Sequence, residues 1–249
     1  MSTYEKIKVT EKEAEQIALS NYGVNGTAKQ LDGELDFNFK IESEEEDYLL
    51  KVGRPDQDPN YVRFQMDLIK HASDRNPSLS KFISDKSGNE ISSFFDSNGD
   101  TREVRMLTWV DGKLWSSVKP ITSRLLTTLG EKAGALTKSL EDFEHVYASR
   151  YLEWDVANAL WCKDHLSMFD APDAELLDYF LNRFEQSQES YKNLRKSIVH
   201  ADVNDNNIVV NQYGYAATVS SLIDFGDAVH TQSINDLAVC LAYVIMDQP

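Results

Sequence analysis

His200-Ala201-Asp202-Val203-Asn204-Asp205-Asn206-Asn207 crowds one histidine, two carboxylates and three amides into a single short segment. A second polar cluster, Asp224-Phe225-Gly226-Asp227, follows two β-type apolar runs, Ile208 to Val210 and Val219 to Ile223. Loops that leave strands hold side chains in place while keeping them open to a ligand. At the two ends of one tight loop, Asp202 and Asn207 would bring a proton-accepting carboxylate and a metal-binding amide into one cavity. Asp224 would add a second oxygen ligand, and hard oxygen ligands without histidine or cysteine suit Mg2+.

Lys51 stands mid-strand in Leu49-Leu50-Lys51-Val52. Apolar neighbours on both sides are odd for a solvent lysine, although the exposed face of an edge strand would also accommodate it. Composition excludes other chemistries. Cys162 and Cys240 lie far apart, without CxxC or histidine spacing, so neither a disulfide framework nor a zinc site is expected and a reducing cytoplasm fits. Across 249 residues, 25 Lys+Arg against 41 Asp+Glu give a net charge of -16, which repels nucleic-acid backbones. Metal ions and a single lysine can reverse that field locally, so a nucleotide remains compatible as a ligand. Met1-Ser2-Thr3-Tyr4-Glu5-Lys6 has neither the basic nor the apolar region of a signal peptide. No run approaches the roughly 18 apolar residues of a membrane span, so no membrane partner is expected.

The elements that must position these groups follow from periodicity. Thr10 and Glu13 form a capping-box pattern ahead of a helix that carries Ala14, Ile17, Ala18 and Tyr22 on one face and ends near Gly23. Phe37, Phe39 and Ile41 alternate with polar residues, and Glu44 to Asp47 makes an acidic turn before Tyr48 to Val52, which predicts two antiparallel strands. After a break from Gly53 to Pro59, Val62, Met66, Ile69 and Lys70 ride a helix. Phe82-Ile83, Ile91 to Phe95 and Val104 to Val110 read as strands around turns at Gly88 and Gly99. Beyond Thr122 the texture becomes helical. Leu125, Leu126, Leu129, Ala133, Leu136, Leu140 and Phe143 trace one amphipathic helix, and Leu176, Leu177, Phe180, Leu181 and Phe184 another from Asp173 to Leu194. A last helix from Ile234 to Met246 has Leu237, Leu241, Tyr243 and Ile245 available for burial.

His200-Ala201-Asp202, Asn207 and Asp224-Phe225-Gly226 together resemble the His-Gly-Asp-(four residues)-Asn and Asp-Phe/Trp-Gly motifs of the aminoglycoside phosphotransferase and choline kinase family. The likeness is strongest to its hydroxylysine kinase branch, through Asn204 to Ile208, Leu222 to Asp227 and Asn235-Asp236-Leu237-Ala238. It extends to Tyr22 to Ala28, Arg105 to Trp109 and Trp154-Asp155. The resemblance implies an α+β, protein-kinase-like fold of two lobes: a small nucleotide-binding lobe with an antiparallel sheet over residues 1–106, a hinge over 107–112, and a mainly helical lobe over 113–249. It implies a kinase that moves the γ-phosphoryl of ATP or GTP, with Mg2+, to a hydroxyl of an amine-bearing metabolite such as hydroxylysine. An aminoglycoside, choline or homoserine kinase is the alternative within the class.

In that scheme Asp202 accepts the proton of the substrate hydroxyl, Asn207 and Asp224 hold Mg2+, His200 orients the loop and Lys51 contacts phosphate. Leu31 to Phe39, containing Gly33 and Asn38, resembles the hairpin that covers the phosphates, although its single glycine alone would indicate only a turn. Leu107 and Trp109 belong to the hinge segment that faces the base. Asp236 braces the catalytic loop; Asp227 either reaches metal or phosphate or braces the loop; Trp154-Asp155 lines the acceptor side or anchors the helical lobe.

Two positions depart from the pattern. Ala201 stands where the family has glycine, and because alanine disfavours positive φ the loop is expected to use a negative φ or to be locally shifted. On the helix after Lys51, where many relatives pair the lysine with a glutamate, the chain offers Gln65, whose neutral amide can orient Lys51 without an ion pair. The chain also stops at Pro249, where the helical lobe of relatives continues, so that lobe is expected to be incomplete and its last helix to leave an apolar patch favouring a homodimer. A nucleotide-binding module without phosphotransfer is the alternative from another class.

Overall fold

A computed structural model describes residues 8–33, 36–213 and 216–246. The chain forms two compact units, divided between Asp111 and Gly112.

The first unit opens with α1 (Glu11–Ile17). Thr10 accepts the Glu13 amide while the Glu13 carboxylate takes the Thr10 amide at 2.7 Å, so two donors at the helix start are satisfied reciprocally. A π-helical turn over Ala18–Tyr22 follows, and Gly23 at φ 77° ends it in the left-handed cap that glycine adopts without strain. Then come β1 (Gly26–Leu31), β2 (Phe37–Ser43), β3 (Tyr48–Val52), α2 (Pro59–Arg75), β4 (Phe82–Ile83), β5 (Ser92–Phe95) and β6 (Thr101–Thr108). Pro59 and the Asp58 cap fix the start of α2. The antiparallel sheet runs β1-β2-β3-β6-β4, with β5 also on β6.

The period-two pattern sorts the residues of this sheet between its faces. Phe39, Ile41, Leu50, Val52, Val104 and Met106 are buried in one cluster with Ala14 and Ile17 of α1. Asn38, Lys51 and Arg105 stand opposite one another on the neighbouring strands. Because β3 is flanked by β2 and β6, Lys51 lies on an interior strand, not an edge. The expected strand pair gains a third member in β1, which buries only Ala28 and so carries little apolar signal.

The second unit contains β7 (Lys113–Leu114), α3 (Ser123–Ser139), a run of 3-10 turns over Val156–Met168, α4 (Ala171–Lys192), β8 (Lys196–Val199), β9 (Ile208–Tyr213), β10 (Ala216–Leu222), β11 (Val229–Gln232) and α5 (Ile234–Ile245). Strands β10-β9-β7 form one antiparallel sheet and β11-β8 another. Helix α3 packs on β10, where Thr128 Oγ1 accepts the Val219 amide at 3.0 Å.

Helix α4 differs from expectation, while α5 leaves exposed the apolar patch expected of the last helix, in place of the burial its apolar residues would also allow. Leu176, Leu177 and Phe180 of α4 are exposed, and no residue of α4 is buried, so its apolar stripe does not find a core. On α5, Leu237, Leu241 and Ile245 are exposed while Asn235, Asp236, Cys240 and Val244 face inwards. The reason is polar: Asn235 and Asp236 are drawn in by hydrogen bonds to Asp155 and to the segment after β8. Among the described residues no helix is long and apolar enough to cross a membrane.

Candidate functional site

Strand β8 delivers the chain to His200, and α5 supplies the group that holds the next turn. Asp236 Oδ2 accepts the His200 amide at 3.1 Å and Oδ1 the Ala201 amide at 2.7 Å. Ala201 has φ 65°. Neither expectation for this position holds: the alanine itself takes the left-handed backbone, at about 1–2 kcal/mol, with Asp236 fixing the two amides that lead into the strained φ. Its methyl group packs with Leu152, Val199 and Val229.

His200 is fully buried. Its Nδ1 accepts the Asp202 amide at 3.2 Å, which places the ring proton on Nε2, where it is donated to the Ile223 carbonyl at 2.9 Å. Both ring nitrogens are therefore committed to main chain, and Phe225 packs against the ring with centroids 4.8 Å apart. The imidazole ties the two polar loops together and has no lone pair left for proton transfer.

The two loops meet because β9 and β10 are antiparallel. Ile208, at the start of β9, pairs with Leu222 at the end of β10, and the Ile223 amide donates to the Asn207 carbonyl at 2.9 Å. Asn207 thereby lies beside the segment that carries Asp224. Asn207 Nδ2 donates to Asp202 Oδ2 at 2.8 Å and to the Asp202 carbonyl at 2.9 Å. That commits the amide nitrogen and leaves Oδ1 as the side-chain atom that could meet a cation. Asp224, exposed and with φ 61°, turns back so that Oδ1 accepts the Gly226 amide at 3.2 Å.

Sequence reasoning gave Asn204 no role. Its Nδ2 donates to both oxygens of Asp202, at 2.9 and 3.0 Å, and its Oδ1 accepts the amides of Asn206 and Asn207. Burial pushes the Asp202 carboxyl above the usual carboxylate range, with Asp227 and Asp224 adding to the shift and the Asn204 hydrogen bond opposing it. Burial likewise raises Asp227, against the pull of the Trp154 indole and Arg150. Arg150 Nη2 also donates to the Gly226 carbonyl at 2.8 Å. Asp155 is buried and accepts from Ala157, Thr231 and Asn235, so it anchors this unit internally, whereas Trp154 is exposed.

Burial is the main reason that both Asp202 and Asp227 are raised, with the Asp224 carboxylate adding to each shift. Among the described residues no three His, Cys, Asp or Glu side chains converge to hold a metal by themselves. The Asn207 amide oxygen and the Asp224 carboxylate are oxygens that could serve a cation here. Two protein oxygens suit Mg2+, which keeps waters and takes further ligands from substrate phosphates.

In the first unit, Lys51 Nζ lies 3.6 Å from Asp36 Oδ2, and Arg105 Nη2 donates to the same oxygen at 2.9 Å. Gln65 of α2 is buried and its Oε1 accepts from Arg105 Nη1 at 3.2 Å. Asp36 was not evident from sequence; the signal available was an acidic residue just before the strand that faces Lys51. Asn38 Nδ2 donates to the Asp32 carbonyl at 3.2 Å across the base of the β1–β2 connection. A Cβ on Gly33 would come within 2.6 Å of the Asp36 carbonyl oxygen, so only glycine fits there. Glu34 and Leu35, in the expected phosphate-covering hairpin, lie outside the described residues. Leu107 is buried within β6, opposite Leu49, and Trp109 follows the strand with its amide donated to the Asp47 carbonyl at 3.1 Å.

A model of the phosphotransferase enzyme family matches residues 27–249. Hydroxylysine kinase of Mus musculus is 25% identical over 217 residues, 81% of this chain and 57% of that protein. Its Bos taurus counterpart is 25% identical over 68% of this chain and 46% of its own length. The chain thus spans about half the length of these curated relatives. Among solved structures, a microcompartment-associated aminopropanol kinase superposes with a TM-score of 0.71 at 20% identity, covering 95% of this chain and 75% of that one. An amicoumacin kinase in complex with AMP-PNP and Ca2+ gives 0.67 at 18% identity, covering 97% and 72%. The protein-kinase-like α+β architecture expected from the loop motifs is the one observed, and the chain belongs to the phosphotransferase enzyme family.

Proposed function

We propose that this chain transfers the γ-phosphoryl group of ATP or GTP to a hydroxyl of a small amine-bearing molecule of the hydroxylysine type. The observation that carries the reading is the pair of loops joined by His200, in which Asp202 and Asn207 are hydrogen-bonded to each other and Asp224 follows beside them. Asp202 accepts the proton of the acceptor hydroxyl as its oxygen attacks phosphorus; a carboxylate with a raised pKa is the better base for that step. Asn207 Oδ1 and Asp224 would hold Mg2+, which when bound neutralises charge on the transferring phosphates. His200 and Asp236 position the loop without exchanging protons.

In this reading residues 1–106 supply the nucleotide groups, with Lys51 on the phosphates and Gly33 and Asn38 shaping the cover over them. Residues 107–112 present main-chain groups to the base, and residues 113–249 supply the catalytic loops. Asp227 braces the second loop through Arg150 and Trp154. Support for the acceptor comes from the names of the relatives, hydroxylysine kinase and aminopropanol kinase, since both compounds join an amine to a hydroxyl. The net charge of -16 favours the approach of a cationic amine.

The test is nucleotide turnover with Mg2+ over a panel of hydroxylated amines, comparing the parent with Asp202→Ala. Acceptor-dependent turnover that falls by about 10²–10⁴ in the variant supports the assignment. Absent acceptor-dependent turnover, or equal turnover in the variant, overturns it. Thermal stabilisation by Mg2+ and ATP without any turnover would instead identify a nucleotide-binding module.

A further inference from the structure

We propose that Asp36 is the residue that positions Lys51, acting from just ahead of strand β2 in the place of an acid on helix α2. The proposal rests on the reading of Lys51 as the phosphate-contacting lysine. In the ladder of the first sheet, Asn38 of β2 stands opposite Lys51 of β3, and Lys51 opposite Arg105 of β6. Directly paired residues of antiparallel strands project from the same face, so the two cations are neighbours. Like charges set side by side on a shielded face repel unless an anion lies between them.

Asp36 supplies that anion. One oxygen, Oδ2, faces both Lys51 Nζ at 3.6 Å and Arg105 Nη2 at 2.9 Å, while Oδ1 accepts from Gln57 Nε2 at 3.2 Å. The side chains of Asp36 and Arg105 are only 7% and 3% exposed, against 19% for Lys51. Arg105 is too deeply covered to meet a ligand, and its role is to hold Asp36. Gln65 in turn holds Arg105 by accepting from Nη1. The line of contacts runs from α2 through Gln65, Arg105 and Asp36, and it ends on the one member open enough to reach a phosphate.

Sharing has an electrostatic consequence. A lysine paired one-to-one with a carboxylate is largely neutralised; here a single carboxylate serves two cations. Asp36 thereby fixes the direction of Lys51 while dividing its charge between Lys51 and Arg105. Burial raises the Glu103 carboxyl, which Arg105 and Arg63 pull down and Asp36 pushes up, so its charge is coupled to the same set.

The experiment uses the full chain carrying Asp36→Asn or Asp36→Glu, each with and without Lys51→Met. In the first arm, acetylation by acetic anhydride is followed at individual lysines by peptide mass spectrometry. Lys40, which pairs with Asp47, serves as the internal reference. Lys51 is expected to react several-fold faster in Asp36→Asn relative to Lys40, and Asp36→Glu to restore most of the difference. In the second arm, affinity for Mg2+ and AMP-PNP is measured by calorimetry. Asp36→Asn is expected to weaken binding about 10-fold alone but less than about 2-fold when Lys51 is already Met, since its effect passes through the lysine. A merely structural role predicts the same loss in both backgrounds. Unchanged Lys51 reactivity, or equal losses in the two backgrounds, overturns the proposal. A parent that binds no nucleotide refutes the phosphate role of Lys51, and the acetylation arm still decides whether Asp36 governs that lysine.

Discussion

Replacing Asp236 with alanine removes the one carboxylate that accepts both the His200 and the Ala201 amide, at 3.1 and 2.7 Å. Each buried N–H left without an acceptor costs about 1–3 kcal/mol, so the pair would cost about 2–6. Two effects limit the loss. Burial pushes the Asp236 carboxyl up, and removing that carboxyl relieves its desolvation. Freed from its clamp, the loop can also release part of the roughly 1–2 kcal/mol held in the left-handed Ala201. The net expectation is a loss on the order of 3 kcal/mol in urea unfolding, with about 100-fold faster hydrogen exchange at the His200 and Ala201 amides. Asp236→Asn, which keeps one acceptor oxygen, should fall between parent and alanine variant. Stability within about 0.5 kcal/mol of the parent, with unchanged exchange at those two amides, would refute the clamp and the account of why alanine is tolerated at position 201.

Ala201→Gly relieves the backbone strain but gives up about 0.8 kcal/mol of methyl burial and about 0.5–1 kcal/mol of chain entropy. It should therefore leave stability within about 1 kcal/mol of the parent in urea melts, and a loss beyond about 2 kcal/mol would contradict the left-handed assignment. Burial raises both Asp202 and Asp227, so each binds its proton more tightly folded than unfolded. The stability these groups contribute is fully present below about pH 4 and is lost as pH rises through their folded values. Asp227→Asn should flatten that loss in unfolding midpoints and move the acid limb of turnover to lower pH; an acid limb at the parent's pH would remove Asp227 from the set. In the first unit, Arg102 Nε donates to Asp96 Oδ2 at 2.7 Å with both side chains buried. Asp96→Ala should cost about 3–5 kcal/mol by leaving that guanidinium unpaired, and a loss under about 1 kcal/mol by thermal unfolding would show that water replaces the carboxylate.

What could be read in the sequence was whatever is local in the chain. The capping box of Thr10 and Glu13 lies within one turn, and the alternation from Phe37 to Ile41 sorts itself between two faces of one strand. The spacing of Asp202 to Asn207 is likewise closed by hydrogen bonds inside the loop. What could not be read depends on pairing across the chain. Strand β11, Val-His-Thr-Gln, has almost no apolar pattern and is a strand because Val229 meets Val199 and Gln232 meets Lys196. Gln65 is inward on α2 because Arg105, 40 residues later, needs an acceptor.

The same distinction explains α5. Its sequence offers Leu237, Leu241 and Ile245 as the face to bury, and hydrophobic area alone would choose them. The observed helix instead turns Asn235 and Asp236 inwards, where Asn235 donates to Asp155 at 2.9 Å and Asp236 accepts two amides. Two buried amides without acceptors would cost about 2–6 kcal/mol, comparable to burying two leucines at about 1.5–3 kcal/mol each. Helix orientation here follows the polar demand of a loop whose backbone is strained, and that demand arises at Ala201, 35 residues before the carboxylate that meets it.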